Sequence, residues 1–405
     1  MPSILILTTY PLVNPRHGGQ IRAKNIRDQF QAAGWRVLNV AVFEEDSYRE
    51  AAPWDVVFPT TSPHRKFRGK NVMFIGDLQT SKFVGDKANQ ALILSRLPTD
   101  IDVVHVEQPW LWPVALAYRQ RINSKVLLSY GSQNIEYELK RGIVDSLSGG
   151  GYQDILEDII SEIMSLEKGA TCDADVVICV SSSDGVIHRE WGARQVVIAP
   201  NGVECRQADK ERLEYWRYKF GAVKFLIYVA SAHPPNFTRF HEIVGGSLAC
   251  FPPDAKLVVV GSVSEHIYRE CVKGAFSSVN MSRLELLFEL PNIDLDAIKA
   301  LAHGYLLPIP FGGGTNLKTA EALISEKFVV GTRAAFRGFE QYMNGPGVHV
   351  FESPDEMHKL VRHVFAQEPR KAKHSDFLKP LTWRSCIQPM LLAISDKLGP
   401  VGVGK

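Results

Sequence analysis

The sequence predicts an α/β protein in which two doubly wound domains, each with a parallel sheet between helices, follow one another along the chain. Short apolar runs typical of buried strands alternate with amphipathic segments of helical length. This alternation stops at a turn and a charged stretch near residue 203 and then starts again. At 405 residues the chain is long enough for two domains of ordinary size, each with its own core.

The first segments predict the sheet of the N-terminal domain. Residues 4–8 are typical of a strand buried on both faces, and this apolar opening has no basic leader and is too short for a signal peptide. A loop that contains Gly18 and Gly19 leads to a helix at about 20–33 and a strand at 35–42. This order implies a parallel pair with a right-handed crossover. Further strands are predicted at 56–58, 72–75, 103–106, 126–130, 176–180 and 196–199, and helices near 87–97, 111–121, 153–172 and 183–191.

The domain boundary is predicted at the Pro-Asn-Gly-Val turn of residues 200–203, which a charged stretch at 209–219 follows. We therefore assign residues 1–203 to the N-terminal domain and residues 204–382 to the C-terminal domain. In the second domain the sequence predicts strands at 225–230, 256–261, 328–330 and 348–350, a helix near 238–250, and a closing helical tail at 383–398.

Composition and charge limit the classes of function. The apolar fraction of 45% and the charged fraction of 22% are those of a soluble globular protein. A net charge of +2 argues against general nucleic-acid binding. The short basic run at 63–70 is more typical of a solvated loop than of a surface for anionic lipid headgroups. Six scattered cysteines without zinc-site spacing predict reduced thiols in a cytoplasmic protein, with peripheral contact to the inner face of a membrane left open.

The stretch at 304–326 carries the clearest chemical signal. An apolar run closed by prolines predicts the end of a buried strand, and the glycines at 312–314 predict a loop. Thr315 is a good N-cap, and 316–325 has helical spacing. This order leaves backbone N–H groups facing a space that an anion could occupy. An ordinary glycine turn before a surface helix is the alternative.

Lys318 favours the anion site. A lysine in the first helical turn faces the positive end of the helix dipole, which costs roughly 0.3–1 kcal/mol. A lysine that precedes Glu321 is also in the poorer orientation for an intrahelical ion pair. Both choices make sense if a phosphate binds there, because helical side chains lean toward the N-terminus. Lys318 and Glu321 share one face, so Lys318 could hold a phosphate while Glu321 accepts hydrogen bonds from ribose hydroxyls.

Segments along nearly the whole chain follow the order of a known enzyme family. In the N-terminal domain these are Pro11 with Gly18, Gly19 and Arg22, then 102–107, 133–136 and 175–181. In the C-terminal domain they are Pro235 with Asn236, 313–322, and 381–383. The turn at 200–203 and the run Gly-Gly-Thr-Asn-Leu-Lys-Thr-Ala-Glu-Ala at 313–322 are the most specific. Together these segments resemble the retaining glycosyltransferases of the GT-B fold, in particular family four.

The resemblance implies two Rossmann-like domains that face one another across a cleft, with a final helix at about 383–400 that crosses back to the N-terminal domain. It implies that the N-terminal domain binds an acceptor glycan, lipid-linked sugar or small molecule. The C-terminal domain would bind a UDP-, GDP- or dTDP-linked sugar, with neither cofactor nor metal. Glu321 would bind the ribose, Leu290 would line the base pocket, and Gly18 and Gly19 would lie beside the donor phosphates. The implied role is in polysaccharide or glycoconjugate biosynthesis.

Three departures from the family pattern concern the sugar and the diphosphate. Gly313 stands where many relatives carry a second glutamate that reaches the donor sugar, so backbone N–H groups would contact the sugar instead. The loop at 231–236 lacks the Arg and Lys that usually grip the diphosphate. The substitutes for that grip are Lys318, His233, Arg239 and Arg337. Glu107 stands where relatives often have a histidine near the reacting sugar.

Sugar transfer requires the bond between sugar and phosphate to weaken while charge builds on the leaving diphosphate, so a cationic site is the main requirement. We assign this catalytic role to Lys318 and a second catalytic role to Glu107. The other candidates for donor binding are Gly18, Gly19, His233, Asn236, Leu290, Gly313, Gly314, Thr315, Asn316, Leu317 and Glu321. The candidates for acceptor binding are Arg22, Glu107, Asn134 and Glu136.

Several of these residues also have an ordinary structural explanation. Glu107, at the end of a strand, could bind local N–H groups, and Asn134 and Glu136 could cap a helix. Gly18 with Gly19 could simply turn the chain. His105 lies on an apolar strand and is more typical of a satisfied core histidine than of a catalyst.

Two other functions stay open. A nucleotide-sugar epimerase of the same fold would need positioned acid and base groups but no acceptor, and a non-catalytic bilobed sugar-binding protein would show no donor turnover. A nicotinamide dehydrogenase is disfavoured, because no Gly-x-Gly-x-x-Gly follows the first strand. The motifs do not identify the donor base, the sugar or the acceptor, which depend on loops.

Overall fold

The computed structural model describes residues 1–72, 75–146, 153–204, 207–311, 315–371 and 376–399. The chain divides into two compact units. Unit 1 consists of Met1–Pro200 together with Trp383–Lys405, and unit 2 consists of Asn201–Thr382. Unit 2 therefore begins at the asparagine of the Pro-Asn-Gly-Val turn, and the last helix of the chain belongs to unit 1.

In the described part of unit 1, seven parallel strands form one sheet in the order β3-β2-β1-β4-β5-β6-β7. The strands are β1 (Ser3–Thr8), β2 (Arg36–Glu44), β3 (Val56–Phe58), β4 (Val103–Glu107), β5 (Leu127–Ser132), β6 (Val176–Cys179) and β7 (Val196–Ile198). The strands β1, β4, β5 and β6 are buried along their whole length. Continuous apolar runs are typical of parallel strands that are covered on both faces.

The helices of unit 1 follow the strands, as a doubly wound domain requires. They are α1 (Gly18–Ala32), α2 (Gly76–Gly85), α3 (Lys87–Ser95), α4 (Trp112–Arg121), α5 (Glu136–Ser146), α6 (Gln153–Asp173) and α7 (Ser182–Glu190). The strand order reverses at β1, whose neighbours are β2 and β4. The carboxyl ends of β1 and β4 are therefore the position where a sheet of this type binds ligands.

Unit 2 contains the second parallel sheet, for which the described residues give the order β10-β9-β8-β11-β12-β13. Its strands are β8 (Lys224–Val229), β9 (Ala255–Val260), β10 (Leu284–Leu286), β11 (Gly304–Leu307), β12 (Phe328–Thr332) and β13 (Val348–Phe351). Its helices are α8 (Lys210–Phe220), α9 (Phe240–Ile243), α10 (Ser264–Cys271), α11 (Ser277–Arg283), α12 (Asn292–Leu301), α13 (Leu317–Ile324) and α14 (Pro354–Phe365). The order reverses between β8 and β11, so the corresponding ligand position lies at the carboxyl ends of these two strands.

The final helix, α15 (Trp383–Leu398), contacts α1, β6 and β7 of unit 1. It buries Trp383, Cys386, Ile387, Met390 and Ile394. The apolar positions recur at helical spacing, which explains why the tail forms a helix with one face against unit 1. No helix within the described ranges is long and apolar enough to span a membrane.

Three predicted elements differ from the structure. Helix α1 begins at Gly18 rather than near Gln20. The helix predicted at 238–250 is limited to α9, because Arg239 (φ 62°), Gly245 (φ 65°) and Gly246 (φ 73°) adopt left-handed backbone on either side of it. Of the strand predicted at 72–75, residues 73 and 74 lie outside the described residues, and Val72 and Ile75 are not part of a strand.

Candidate functional site

The predicted anion site lies in unit 2, where β11 leads to α13. Gly313 and Gly314, the predicted backbone donors, lie outside the described residues. Helix α13 begins at Leu317, and its N-cap is Asn316, so the prediction of Thr315 as the N-cap is wrong. The Thr315 hydroxyl oxygen instead accepts a hydrogen bond from the Asn201 N–H at 3.3 Å, and the Thr315 carbonyl accepts one from Asn201 Nδ2 at 3.2 Å.

Asn201 therefore holds the segment that enters α13. It is 8% exposed and is the first residue of unit 2. The sequence indicated only a turn at a domain boundary at this position. The hydrogen bonds of Asn201 to Thr315 join residues more than a hundred positions apart, so no local sequence pattern predicts them.

Lys318 lies in the first turn of α13 and points to the loop after β8. Its Nζ donates a hydrogen bond to Asn236 Oδ1 at 3.0 Å. Asn236 is 6% exposed and is fixed at both ends, because its Nδ2 donates to the Ser231 carbonyl at 2.9 Å and its own carbonyl accepts from the Tyr228 hydroxyl at 2.7 Å. Two residues predicted separately for donor binding are thus in contact at the carboxyl ends of β11 and β8.

The surroundings of Lys318 disfavour the charge of its ammonium group. Burial lowers its pKa to about 8, although the charge of Glu321 acts in the opposite direction. The Glu321 carboxylate is itself held by Lys299 of α12, with Nζ to Oε2 at 2.7 Å. Among the described residues the structure gives Lys318 no ion pair of its own. The site therefore contains a cation whose hydrogen-bond partner is a neutral amide oxygen.

The remaining donor-binding candidates of unit 2 are His233 and Leu290, and Arg239 and Arg337 are the other candidates for holding the diphosphate. His233 is exposed and precedes the short 3-10 helix Pro234–Asn236. Leu290 is half-buried against the core cluster of this unit and precedes α12. Arg239 is 63% exposed and binds Glu242 at 2.7 Å. Arg337 follows the 3-10 helix Arg333–Phe336.

A second group of polar side chains lies in unit 1 at the carboxyl ends of β1, β4 and β5. Glu107, the last residue of β4, is fully buried. Its carboxylate contacts His105 Nε2 at 2.9 Å, accepts a hydrogen bond from Gln133 Nε2, and forms an ion pair with Arg22 Nε at 3.5 Å. Burial raises the pKa of Glu107, but Arg22 and the hydrogen bonds outweigh burial and hold the pKa below its usual value. Glu107 is therefore ionised and enclosed by donors.

Arg22 connects the Glu107 carboxylate to residue 199, near the end of the first chain segment of unit 1. It is 1% exposed, and its Nη1 donates to the Ala199 carbonyl at 2.9 Å. Gly131 on β5 leaves room for Glu107, because a Cβ at that position would lie 2.5 Å from Glu107 Oε1. His105 Nδ1 contacts Ser129 Oγ at 2.9 Å, so both ring nitrogens have partners, in agreement with the prediction of a satisfied core histidine.

Gly18 and Gly19 form the first turn of α1 instead of a loop. His17 caps this helix: its Nδ1 accepts the Gln20 N–H at 3.4 Å. A Cβ at Gly19 would lie 3.0 Å from the Tyr10 hydroxyl, which itself accepts a hydrogen bond from Gln133 Nε2 at 2.8 Å. Gly19 therefore allows Tyr10 and α1 to approach each other closely.

Asn134 and Glu136 lie together at the start of α5. The buried Glu136 carboxylate accepts hydrogen bonds from Asn134 Nδ2 and Gln108 Nε2, each at 3.1 Å. Burial raises the pKa of Glu136, and Lys140 acts against this shift. Glu167 accepts the Glu136 N–H at 2.9 Å, and burial together with Glu136 raises its pKa to about 8. Glu167 therefore binds the first N–H groups of the helix for which capping by Asn134 and Glu136 was the structural alternative.

Sequence reasoning missed Asp77 and Lys140, which lie beside this group. Lys140 Nζ is 3.2 Å from Asp77 Oδ2, and the Thr9 hydroxyl donates to Asp77 Oδ1 at 3.0 Å. The two charged residues are 63 positions apart, so no local pattern connects them.

Both arginines of the basic run at 63–70 are paired with acidic neighbours. Arg65 is paired with Glu44 and Asp46, and Arg68 with Asp158. These pairs favour the solvated loop over a lipid-binding surface. Across the described ranges, no group of three or more His, Cys, Asp and Glu side chains is arranged to hold a metal ion.

No protein-family model matches this chain, and no curated protein matches it in sequence. Solved structures do match over nearly its full length. A sucrose-phosphate synthase from Thermosynechococcus elongatus is 15% identical with a TM-score of 0.62, and the match covers 98% of each chain. An α,α-trehalose 6-phosphate synthase from Burkholderia multivorans is 14% identical over 98% of this chain and 99% of its own, with a TM-score of 0.64. Anabaena HepE in complex with UDP is 14% identical over 98% of each chain, with a TM-score of 0.60.

These similarities concern the fold. Identities of 15% and below do not carry substrates or residue roles from one chain to another. The described residues form one parallel sheet of seven strands and one of six, and the solved structures match the chain over almost its full length. These findings confirm the predicted α/β class of the GT-B type.

Proposed function

We propose that this protein is a glycosyltransferase that moves a sugar from a nucleotide-sugar donor to an acceptor hydroxyl. The observation that carries the proposal is Lys318: an ammonium group at the start of α13, at the carboxyl end of the unit 2 sheet, held 3.0 Å from Asn236 Oδ1. The similarity in fold to two sugar-phosphate synthases and to a protein in complex with UDP supports it.

Lys318 would act on the leaving diphosphate. Negative charge grows on this group as the bond to the sugar breaks, and a cation placed in advance in a poorly solvated position stabilises that charge more than solvent does. Asn236 fixes the direction of the ammonium, because its Nδ2 binds the Ser231 carbonyl of the same loop and its own carbonyl binds the Tyr228 hydroxyl of β8. Arrival of a phosphate would replace a neutral partner by an anionic one.

Glu321 would contact the ribose of the donor, and Lys299 would be the residue that positions Glu321. The ion pair at 2.7 Å occupies one carboxylate oxygen, Oε2, so the other oxygen can accept hydrogen bonds from ribose hydroxyls. His233 and Leu290 stay candidates for the diphosphate and the base. Backbone groups of Gly313 and Gly314 stay candidates for the sugar.

Unit 1 would bind the acceptor. Glu107 is fully buried, so we assign it a positioning role, in which it orients Arg22 and Gln133, rather than direct contact with the sugar. Asn134 would contribute to acceptor binding at the start of α5, and the buried Glu136 carboxylate would orient its side chain. Retention of configuration and transfer without a metal are parts of the proposal that rest on the sequence resemblance.

The test is an incubation with UDP-, GDP- and dTDP-linked sugars, with nucleotide release and the remaining donor both measured. We expect slow hydrolysis of one donor without an acceptor, and much slower hydrolysis by the Lys318→Ala variant. An epimerase would instead convert the donor into its epimer without nucleotide release, and a binding protein would retain the donor unchanged. Either of these two results contradicts the proposal.

A further inference from the structure

Asp77 and Lys140 form a charged pair at the carboxyl edge of the unit 1 sheet, next to the buried network around Glu107. Asp77 lies in the first turn of α2, and Lys140 lies on α5. The Asp77 side chain is 35% exposed and that of Lys140 is 12% exposed. Each oxygen of the Asp77 carboxylate has one donor, from Thr9 and from Lys140, and retains capacity for another.

The groups around this pair add polar contacts without adding net positive charge. Burial raises the pKa of Glu136, while Lys140 acts to lower it, so Lys140 is influenced by two carboxyl groups. The His17 side chain contacts the Tyr48 hydroxyl at 3.1 Å. Burial lowers the pKa of His17 to about 4, and burial together with Asp77 raises the pKa of Tyr48, so both groups are neutral near pH 7. The His17 ring packs against the ring of Tyr10 with centroids 5.0 Å apart, and Tyr10 follows Thr9, which binds Asp77, so His17 and Tyr48 lie near the pair.

We propose that Asp77 and Lys140, with His17 and Tyr48 beside them, form an acceptor subsite that selects an uncharged, hydroxyl-rich acceptor and rejects a phosphorylated one. This inference rests on the proposed function and specifies its acceptor. A vicinal diol can donate to the carboxylate and accept from the ammonium at the same time, so it binds without separating the pair. A phosphate dianion would have to compete for Lys140 and would be placed beside Asp77, and this repulsion disfavours it.

The experiment uses the full chain and the donor that it hydrolyses, with matched acceptor pairs. The neutral members are glucose, mannose and N-acetylglucosamine, and the charged members are their 6-phosphates. We expect at least one neutral sugar to accelerate nucleotide release at least tenfold more than its 6-phosphate. In Asp77→Asn, kcat/KM for the neutral sugar should fall about tenfold, as expected for loss of a hydrogen bond to a charged group, while the KM of the donor stays unchanged.

Two further variants make the result independent of folding defects. Lys140→Gln should raise the ratio of neutral to phosphorylated acceptor use, whereas Asp77→Asn should lower it, and a folding defect cannot shift one ratio in opposite directions. Asp100→Asn is the matched control. Asp100 is 68% exposed, is paired with Arg36 at 2.8 Å, and precedes β4 at the opposite edge of the same sheet.

The proposal is overturned if the 6-phosphates accelerate nucleotide release more than the neutral sugars do, or if no neutral sugar accelerates it. It is also overturned if Asp77→Asn and Lys140→Gln shift the ratio of neutral to phosphorylated acceptor use in the same direction. These results differ from a failure of the proposed function, in which no donor is hydrolysed. In that case saturation-transfer NMR with methyl α-glucoside and glucose 6-phosphate tests the subsite alone. Preferential contact with the glucoside that Asp77→Asn removes supports it, and equal or preferential contact with the phosphate overturns it.

Discussion

The polar networks at the carboxyl edges of the two sheets differ in how their charges are balanced. In unit 1, the Glu107 carboxylate is surrounded by Arg22, His105 and Gln133, and its pKa lies below the usual value. In unit 2, Lys318 has the amide oxygen of Asn236 as its partner, and its pKa falls to about 8. The charge of Glu107 is paired within its own network, whereas the hydrogen-bond partner of the Lys318 ammonium is a neutral amide oxygen.

This difference indicates which network is structural and which receives a ligand. A buried charge that has its own partners contributes to a fixed geometry, whereas a desolvated charge with a neutral partner marks a position where binding can restore the lost solvation. The comparison therefore assigns ligand binding to the surroundings of Lys318 and positioning to Glu107. Three substitutions and one pH dependence test this assignment.

Replacement of Lys318 by Ala should have the largest effect on the reaction. We expect turnover of the nucleotide-sugar to fall about 100- to 1,000-fold, the loss typical of removing one group that stabilises charge in the transition state. Thermal unfolding should show no loss of stability, because the deleted ammonium is poorly solvated. The control is Lys359→Ala, an exposed lysine on α14 of the same unit. Equal losses in both variants would remove the distinction between the two networks.

Replacement of Glu321 by Gln should raise the donor KM about 10- to 100-fold, since a hydrogen bond to a charged group contributes roughly 1.5–3 kcal/mol. The value of kcat should change much less, because ribose contacts are equal in the ground and transition states. Steady-state kinetics with the donor as the varied substrate gives both values. Glu265→Gln, an exposed and ion-paired glutamate on α10, is the control. A fall in kcat with an unchanged KM would place Glu321 at the reacting centre instead.

Replacement of Gly131 by Ala tests whether the unit 1 network is closely packed. The new Cβ would lie 2.5 Å from Glu107 Oε1 and 2.9 Å from His105 Cε1, so the carboxylate must move. We expect the free energy of unfolding to fall by about 1–3 kcal/mol in denaturant titrations. Gly169→Ala on α6 is the matched control, because nothing lies within 4 Å of its Cβ and a helical alanine stabilises by about 1 kcal/mol. A tolerated Gly131→Ala would mean that the network rearranges easily.

The pH dependence of nucleotide binding should show the smallest effect. Lys318 titrates near pH 8 in the folded chain and near 10.5 when fully solvated. Below pH 8 the ammonium is present and favours a diphosphate, and above pH 8 it is lost, so the affinity for UDP should fall about tenfold by pH 9. In the absence of ligand, the unfolded chain binds more protons than the folded chain between pH 8 and 10.5. Lys318 therefore makes the free energy of unfolding increase with pH over this window. Lys318→Met should show neither dependence.

The sequence predicted most strands within one or two residues, because parallel strands are covered on both faces and read as continuous apolar runs. It failed where backbone conformation overrides composition. Arg239 at φ 62° has no signal in the sequence, and the helix expected around it is reduced to one turn. Thr315 has the composition of an N-cap, but its hydroxyl is used by Asn201.

The site was predictable only in part for a similar reason. Lys318 and Asn236 each follow a strand next to the point where the strand order reverses, so their proximity could be expected once both strands were assigned. The pairs of Glu321 with Lys299 and of Asp77 with Lys140 join separate helices, and they depend on packing that no local pattern contains.

Calorimetric titration of the protein and its Lys318→Ala variant with UDP and with uridine tests diphosphate binding by Lys318 directly. The pairs of GDP with guanosine and of dTDP with thymidine are used in the same way. If Lys318 binds a diphosphate, the variant loses affinity for the nucleoside diphosphate by at least tenfold and keeps its affinity for the nucleoside. Equal affinities of both proteins for the diphosphate, or an equal loss for diphosphate and nucleoside, would contradict the account.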